Sequence, residues 1–206
     1  MHPEILSKEQ VELLPVLQQF YKDFYLVGGT AIALQIGHRH SIDFDLFTNK
    51  LSVGQAWQRF TKKQRAKIIF EDGDQIHFLA NKVKVTFYEY PFTIKANIDF
   101  DGKLRMPDLL TLAAMKAYAL GRRSKWKDYV DMYFLLRDHL VFADVINKAQ
   151  AIFGDMFSDK VFLSQLSYFN DISYEEMPVY TSKIGINDTE IKRFLTQKAL
   201  EAGTEA

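Results

Sequence analysis

VGGTAIALQIGHRHSIDFDLF, residues 27–47, is the stretch on which the fold turns. Its end, SIDFDLF at 41–47, alternates apolar and polar residues, and strict alternation is the mark of a half-buried strand. Successive strand side chains point to opposite faces, so Asp43 and Asp45 share one face and Ile42, Phe44 and Leu46 the other. The two carboxylates are then held about 7 Å apart at their Cα atoms, from a rise of ~3.3 Å per residue. Like charges fixed in this way repel unless a cation sits between them. Mg²⁺ fits, because it takes oxygen ligands and is usually held by one or two carboxylates together with substrate phosphates. Upstream, the apolar run FYLV at 24–27 reads as a strand that ends at Gly28 and Gly29, with Thr30 expected to cap a short helix stopped by Gly37. A glycine turn opening a helix offers free backbone N–H groups at a positive helix end, which suits the phosphates of a nucleotide. Each element alone is a common structural feature. Their order, strand, Gly-Gly, helix, then D-x-D on the next strand, points to a nucleotide site.

On either side of this stretch, hydrophobic period divides the chain. Leu13, Leu14, Leu17 and Phe20 share a helical face, and Val53 to Arg65 reads as a helix with Trp57 and Phe60 on one side. KIIF, QIHFLA and KVKVTFYEY are strand-like runs separated by Asp72, Gly73 and Asp74 and by Asn81. From Pro107, read as a first helical residue, the period is helical: helices are expected near 125–137, 142–153, 159–168 and 186–200. The fold class this predicts is α+β: a small mixed-sheet module with flanking helices over 1–104, then a helical module over 105–206.

Composition narrows the functions. With 26 basic and 26 acidic residues the 206-residue chain has zero net charge, which argues against coating nucleic acid non-specifically. Two local basic segments remain. TKKQRAK carries Lys62, Lys63, Arg65 and Lys67, and RRSKWK carries Arg122, Arg123, Lys125 and Lys127 around Trp126. Each reads either as a solvated loop or as a phosphate contact. The most apolar segment, LLTLAAMKAYAL, is interrupted by Lys116, so no membrane span is expected. Nothing at the start resembles an export signal, and the absence of cysteine fits the cytoplasm. Five histidines form no H-E-x-x-H, and there is no P-loop and no G-x-S-x-G.

Gly-Gly-Thr followed by HRHSIDFDLF resembles the signature of the polymerase β-like nucleotidyltransferase superfamily, and more narrowly that of the AbiEii/AbiGii toxin family. KVKVTFYEYPF, MPDLLTLAAMKAYAL and KWKDYVDMYFLL follow in the family's order, so the resemblance spans roughly residues 24–137. It implies a nucleotidyl transfer from an NTP to an acceptor hydroxyl, on RNA, by the toxin of a bacterial toxin–antitoxin or abortive-infection system with a cognate antitoxin. Carried over by position, Asp43 and Asp45 would bind Mg²⁺. Gly28, Gly29 and Thr30 would hold the triphosphate, with Arg39 and Ser41 beside them. Lys116 matches a family lysine and Asp128 the acid of K-D-x-x-D. Read from the residues alone, Lys116 must either snorkel or meet an anion, and Asp128 or Asp131 could receive the basic loop before them.

One position departs from the pattern. The superfamily usually adds a third carboxylate from a later strand, where this chain has Thr86. That leaves a nucleotide- or RNA-binding protein with impaired catalysis as the alternative. Alternation aims Glu89 at the opposite face, and Asp99 and Asp101 could approach only through a loop excursion. Finally, RRSKWK is expected to line the acceptor path, its cations on phosphates and Trp126 stacked on a base.

Overall fold

The computed structural model describes residues 1–181 and 186–204. It divides into two compact units, Met1–Asp108 and Leu109–Ala206.

The first unit begins with α1 (Lys8–Leu17), where Ser7 and Gln10 form a reciprocal capping box and Leu13, Leu14 and Leu17 are buried. Then come β1 (Tyr25–Val27), α2 (Gly28–Ile36), β2 (Asp43–Thr48), α3 (Val53–Thr61), β3 (Lys67–Asp72), β4 (Gln75–Ala80), β5 (Val83–Glu89), β6 (Ile98–Phe100) and β7 (Leu104–Met106). Five strands make one mixed sheet in the order β1-β2-β5-β4-β3, in which only the β2–β5 pair is parallel. One face is core. Phe44, Leu46, Phe78, Val85 and Phe87 are fully buried there, and Phe78 and Phe87 meet Phe60 of α3 at ring separations of 4.7 and 6.1 Å. Phe20 and Phe24 close on Phe87 at 5.1 and 4.9 Å.

Several expectations are corrected. Ile42 does not join the buried face: it precedes the strand and is 69% exposed. α3 stops at Thr61, four residues before Arg65, and leaves TKKQRAK as an exposed turn into β3. Pro107 and Asp108 lie outside the helix that starts at Leu109. The boundary expected at 104/105 falls inside β7, which pairs with β6 and packs on β1, so this hairpin belongs to the first unit.

The second unit is helical: α4 (Leu109–Leu120), α5 (Trp126–Asp138), α6 (Phe142–Phe153), α7 (Asp159–Ser167) and α8 (Asp188–Thr204). Trp126, Tyr129, Tyr133 and Phe162 fill its core, and Tyr118 stacks on Phe153 at 4.0 Å. Among the described residues no helix is long and apolar enough to cross a membrane.

Candidate active site

β2 holds Asp43 and Asp45 half-exposed while Phe44 and Leu46 anchor the other face in the core, so the carboxylates are set by strand alternation. The register places Val27 beside Asp45 on one flank, and Lys84 and Thr86 of β5 beside Asp43 and Asp45 on the other. Gly28 has φ +71°, and a Cβ there would lie 2.5 Å from Asp45 Oδ2. This glycine is therefore required twice, once by its left-handed backbone and once by the carboxylate it faces. A Cβ on Gly29 would collide with the Arg39 guanidinium. No side chain caps α2, so its N-terminal amides open beside the carboxylates without a protein side chain to satisfy them.

Gly28→Ala is expected to lower the unfolding free energy by about 1–2 kcal/mol, the cost of a left-handed non-glycine residue. A urea titration of the variant measures it, and unchanged stability would show that the turn tolerates a side chain.

Thr30 does not cap the helix. It is 2% exposed, and its hydroxyl donates to the backbone carbonyl of Asp43 while lying 2.8 Å from Ser41 Oγ. With its one proton spent on that carbonyl, it accepts from Ser41 and ties α2 to the start of β2. Arg39 is 4% exposed and donates from Nη1 to the His40 carbonyl at 2.9 Å. Thr30 and Arg39 thus brace the turn from beneath, whereas Gly28, Gly29 and Ser41 remain half-exposed. Asp99 and Asp101 are engaged elsewhere: Asp99 accepts from the Tyr21 hydroxyl at 2.7 Å and the Gly102 amide at 2.9 Å, and Asp101 pairs with Lys103. Glu89 accepts from the Val53 amide at 2.8 Å, at the start of α3. Thr86, 6% exposed, is the residue on β5 in register with Asp45.

Lys116 and Asp128 belong to the second unit. Lys116 meets anions of its own chain, Asp128 Oδ1 at 2.7 Å and Asp131 Oδ2 at 2.8 Å, with side-chain exposures of 4%, 0% and 0%. Arg123 adds Nε to Asp128 Oδ2 at 2.9 Å. Burial opposes the charge on Lys116, but the two carboxylates prevail and hold its pKa above the ordinary lysine value. Burial likewise opposes ionisation of Asp128, and Lys116 and Arg123 prevail in lowering its pKa. The basic loop does fold onto Asp128.

The rest of RRSKWK is also occupied. Arg122 lies 3.6 Å over the Tyr118 ring and donates to the carbonyls of Tyr118 and Met156. Lys125 and Lys127 both bind Glu176. Burial raises the Glu176 pKa, yet these lysines bring it down to about 2. Trp126 is fully buried and stacked on Tyr129, so its indole is core and not a platform for a base. Apolar packing inside the second unit takes the ring that the sequence left open to either use.

A mixed sheet carrying D-x-D beside a Gly-Gly turn at a helix start defines a nucleotidyltransferase-type protein. Residues 14–84 match the model of the "Nucleotidyl transferase AbiEii toxin, Type IV TA system" family. An uncharacterised protein of Aquifex aeolicus (strain VF5) is 34% identical over 144 residues, 65% of this chain and 68% of that protein. The chain belongs to the AbiEii nucleotidyl transferase toxin family. Two solved structures share the fold at low identity. MenT4, a nucleotidyltransferase toxin from Mycobacterium tuberculosis H37Rv, is 12% identical with a TM-score of 0.66, over 93% of this chain and 81% of that one. JHP933 from Helicobacter pylori is 15% identical with a TM-score of 0.59, over 97% and 94%.

Proposed function

We propose that the protein is a cytoplasmic, Mg²⁺-dependent nucleotidyltransferase that moves a nucleotidyl group from an NTP to an acceptor hydroxyl on RNA. In this reading it is the toxin of a toxin–antitoxin or abortive-infection system with a cognate antitoxin. The observation that carries it is the placement of Asp43 and Asp45 on one face of β2, against the uncapped start of α2, with Gly28 cleared of any Cβ beside Asp45.

The donor set suits Mg²⁺. Among the described residues no three His, Asp or Glu side chains gather to bind a metal by themselves, and a D-x-D pair completed by waters and NTP phosphates is how Mg²⁺ is usually held. Asp43 and Asp45 would hold the ion, and bound Mg²⁺ supplies charge neutralisation at the phosphates. The Gly28 and Gly29 amides receive phosphate oxygens at the positive end of α2, with Ser41 beside them. Arg39 and Thr30 hold that turn in shape. The acceptor oxygen bonds to the α-phosphorus, the bond to the β-phosphate bridge breaks, and pyrophosphate leaves while the hydroxyl proton passes to solvent. Lys116 and Asp128 serve as positioning residues, locking α4 to α5.

Incubation with each labelled NTP, Mg²⁺ and total RNA tests this reading. Incorporation should fall by roughly three orders of magnitude in Asp43→Ala, matching several kcal/mol of lost charge stabilisation. Absent incorporation, or incorporation unaffected by the substitution, contradicts it.

Thr86 in register with Asp45 supports a second reading, a nucleotide binder without transfer. Calorimetry separates the two, because a pure binder takes up Mg·NTP yet labels no acceptor.

A further inference from the structure

The D-x-D face does not stop at β2. Register carries it sideways in two rows, Asp43–Lys84–Leu79–Lys67 and Asp45–Thr86–His77–Phe70, across β5, β4 and β3. A bulge between Ile68 and Phe70 makes the second row possible: without the extra residue, Lys67 and Phe70 would point to opposite faces. Phe70 stands edge-on to His77 at 5.4 Å and is 47% exposed, and Leu79 is 42% exposed. At ~4.8 Å per strand the rows run about 14 Å from the carboxylates to the sheet edge. There Lys62, Lys63 and Arg65 lead into Lys67, and all four are exposed. The hydrogen bonds and ion pairs of the described residues engage none of these four side chains, unlike those of RRSKWK. The acidic residue on this face at the far corner is Asp72, in register with Gln75.

We propose that this face is the track for the acceptor strand, a single-stranded RNA whose phosphates lie on Lys62, Lys63, Arg65, Lys67 and Lys84 and whose unpaired base stacks on Phe70. This rests on the nucleotidyltransferase reading and names the surface that presents the acceptor to it. The occupant follows from chemistry. Unpaired cations select a polyanion, the exposed aromatic selects one with flat unpaired bases, and the track is continuous with the carboxylates where the acceptor hydroxyl must arrive. An acidic protein segment would use the cations but not Phe70.

The test is fluorescence anisotropy of a labelled oligouridylate at several salt concentrations. The variants are Phe70→Ala, the quadruple Lys62→Ala, Lys63→Ala, Arg65→Ala and Lys67→Ala, and a control, Lys125→Ala with Lys127→Ala, that removes two cations already paired with Glu176. In the quadruple variant the slope of log affinity against log salt should flatten by about 0.7 for each phosphate that no longer meets a cation. Phe70→Ala should weaken binding roughly 5- to 160-fold, the loss of one stacked base. The control should leave the slope unchanged, since Glu176 already holds those lysines. Unchanged affinity in both test variants overturns the proposal. So does an equal loss per charge in the control. Mg·ATP calorimetry on the same proteins reads the nucleotide site separately, so a failure there is distinguishable from a failure of the track.

Discussion

Lys116→Met should lose about 3–5 kcal/mol of unfolding free energy, because it leaves the buried Asp128 and Asp131 carboxylates short of one positive charge in a dry interior. Asp128 and Asp131 are both fully buried around Lys116 Nζ, and Arg123 reaches Asp128. Two positive and two negative charges cancel in the native cluster; the variant leaves an excess of one. Methionine keeps the volume, so packing loss contributes little. Adding Asp128→Asn and Asp131→Asn should recover most of the loss by removing the buried charges. Urea unfolding of the single and triple variants checks this, and a Lys116→Met protein as stable as the parent would show that the lysine is no structural counter-ion. The cluster also sets a pH window. The Lys116 pKa is raised in the fold, so its contribution is complete below the unfolded value of about 10.4 and is lost as pH rises through the higher folded value. The Asp128 pKa is lowered, so its contribution is complete above about 3.9 and disappears as pH falls through the lower folded value.

Thr86→Asp should make stability more dependent on metal than it is in the parent. Its β5 position is in register with Asp45, so a carboxylate there stands one strand spacing away on the same face. In EDTA the added charge faces Asp45 at a site where Thr86 is 6% exposed, and like charges so placed lower the melting temperature. Mg²⁺ should reverse the deficit, since an ion at a hundred times its dissociation constant contributes about 2.7 kcal/mol to the state that binds it. The Mg²⁺-induced rise in melting temperature should be larger in Thr86→Asp than in the parent, and nucleotidyl transfer should rise with it. Equal Mg²⁺ responses would place the metal away from β5.

The elements that proved legible in the sequence are those whose period is regular and whose length is ample. The strand at 43–48 alternates without a break, and KVKVTFYEY does nearly so, which is why D-x-D and the place of Thr86 could be located from the residues. The β6–β7 hairpin escaped because three-residue strands carry too little period to register. Thr30 looked like a cap because its type favours one, but its hydroxyl answers a carbonyl 13 residues on. The fate of RRSKWK was hidden for a similar reason: its lysines meet Glu176, about fifty residues later, and no local pattern encodes that pairing. The track on β3 depends on a bulge inside the apolar run Ile68–Ile69–Phe70, where every residue looks alike to a periodicity count. Local alternation thus revealed the carboxylates, while the surroundings that decide what each cation does are tertiary.

The proposed chemistry cleaves the NTP between its α and β phosphates beside Asp43 and Asp45, and the position of a label in the NTP tests that step without intermediary. With RNA and Mg²⁺ present, label on the α-phosphate should appear in the acceptor and label on the γ-phosphate should leave in pyrophosphate, and both should be lost in Asp45→Asn. Transfer of γ-label to the acceptor, or α-label incorporation that survives Asp45→Asn, would contradict it.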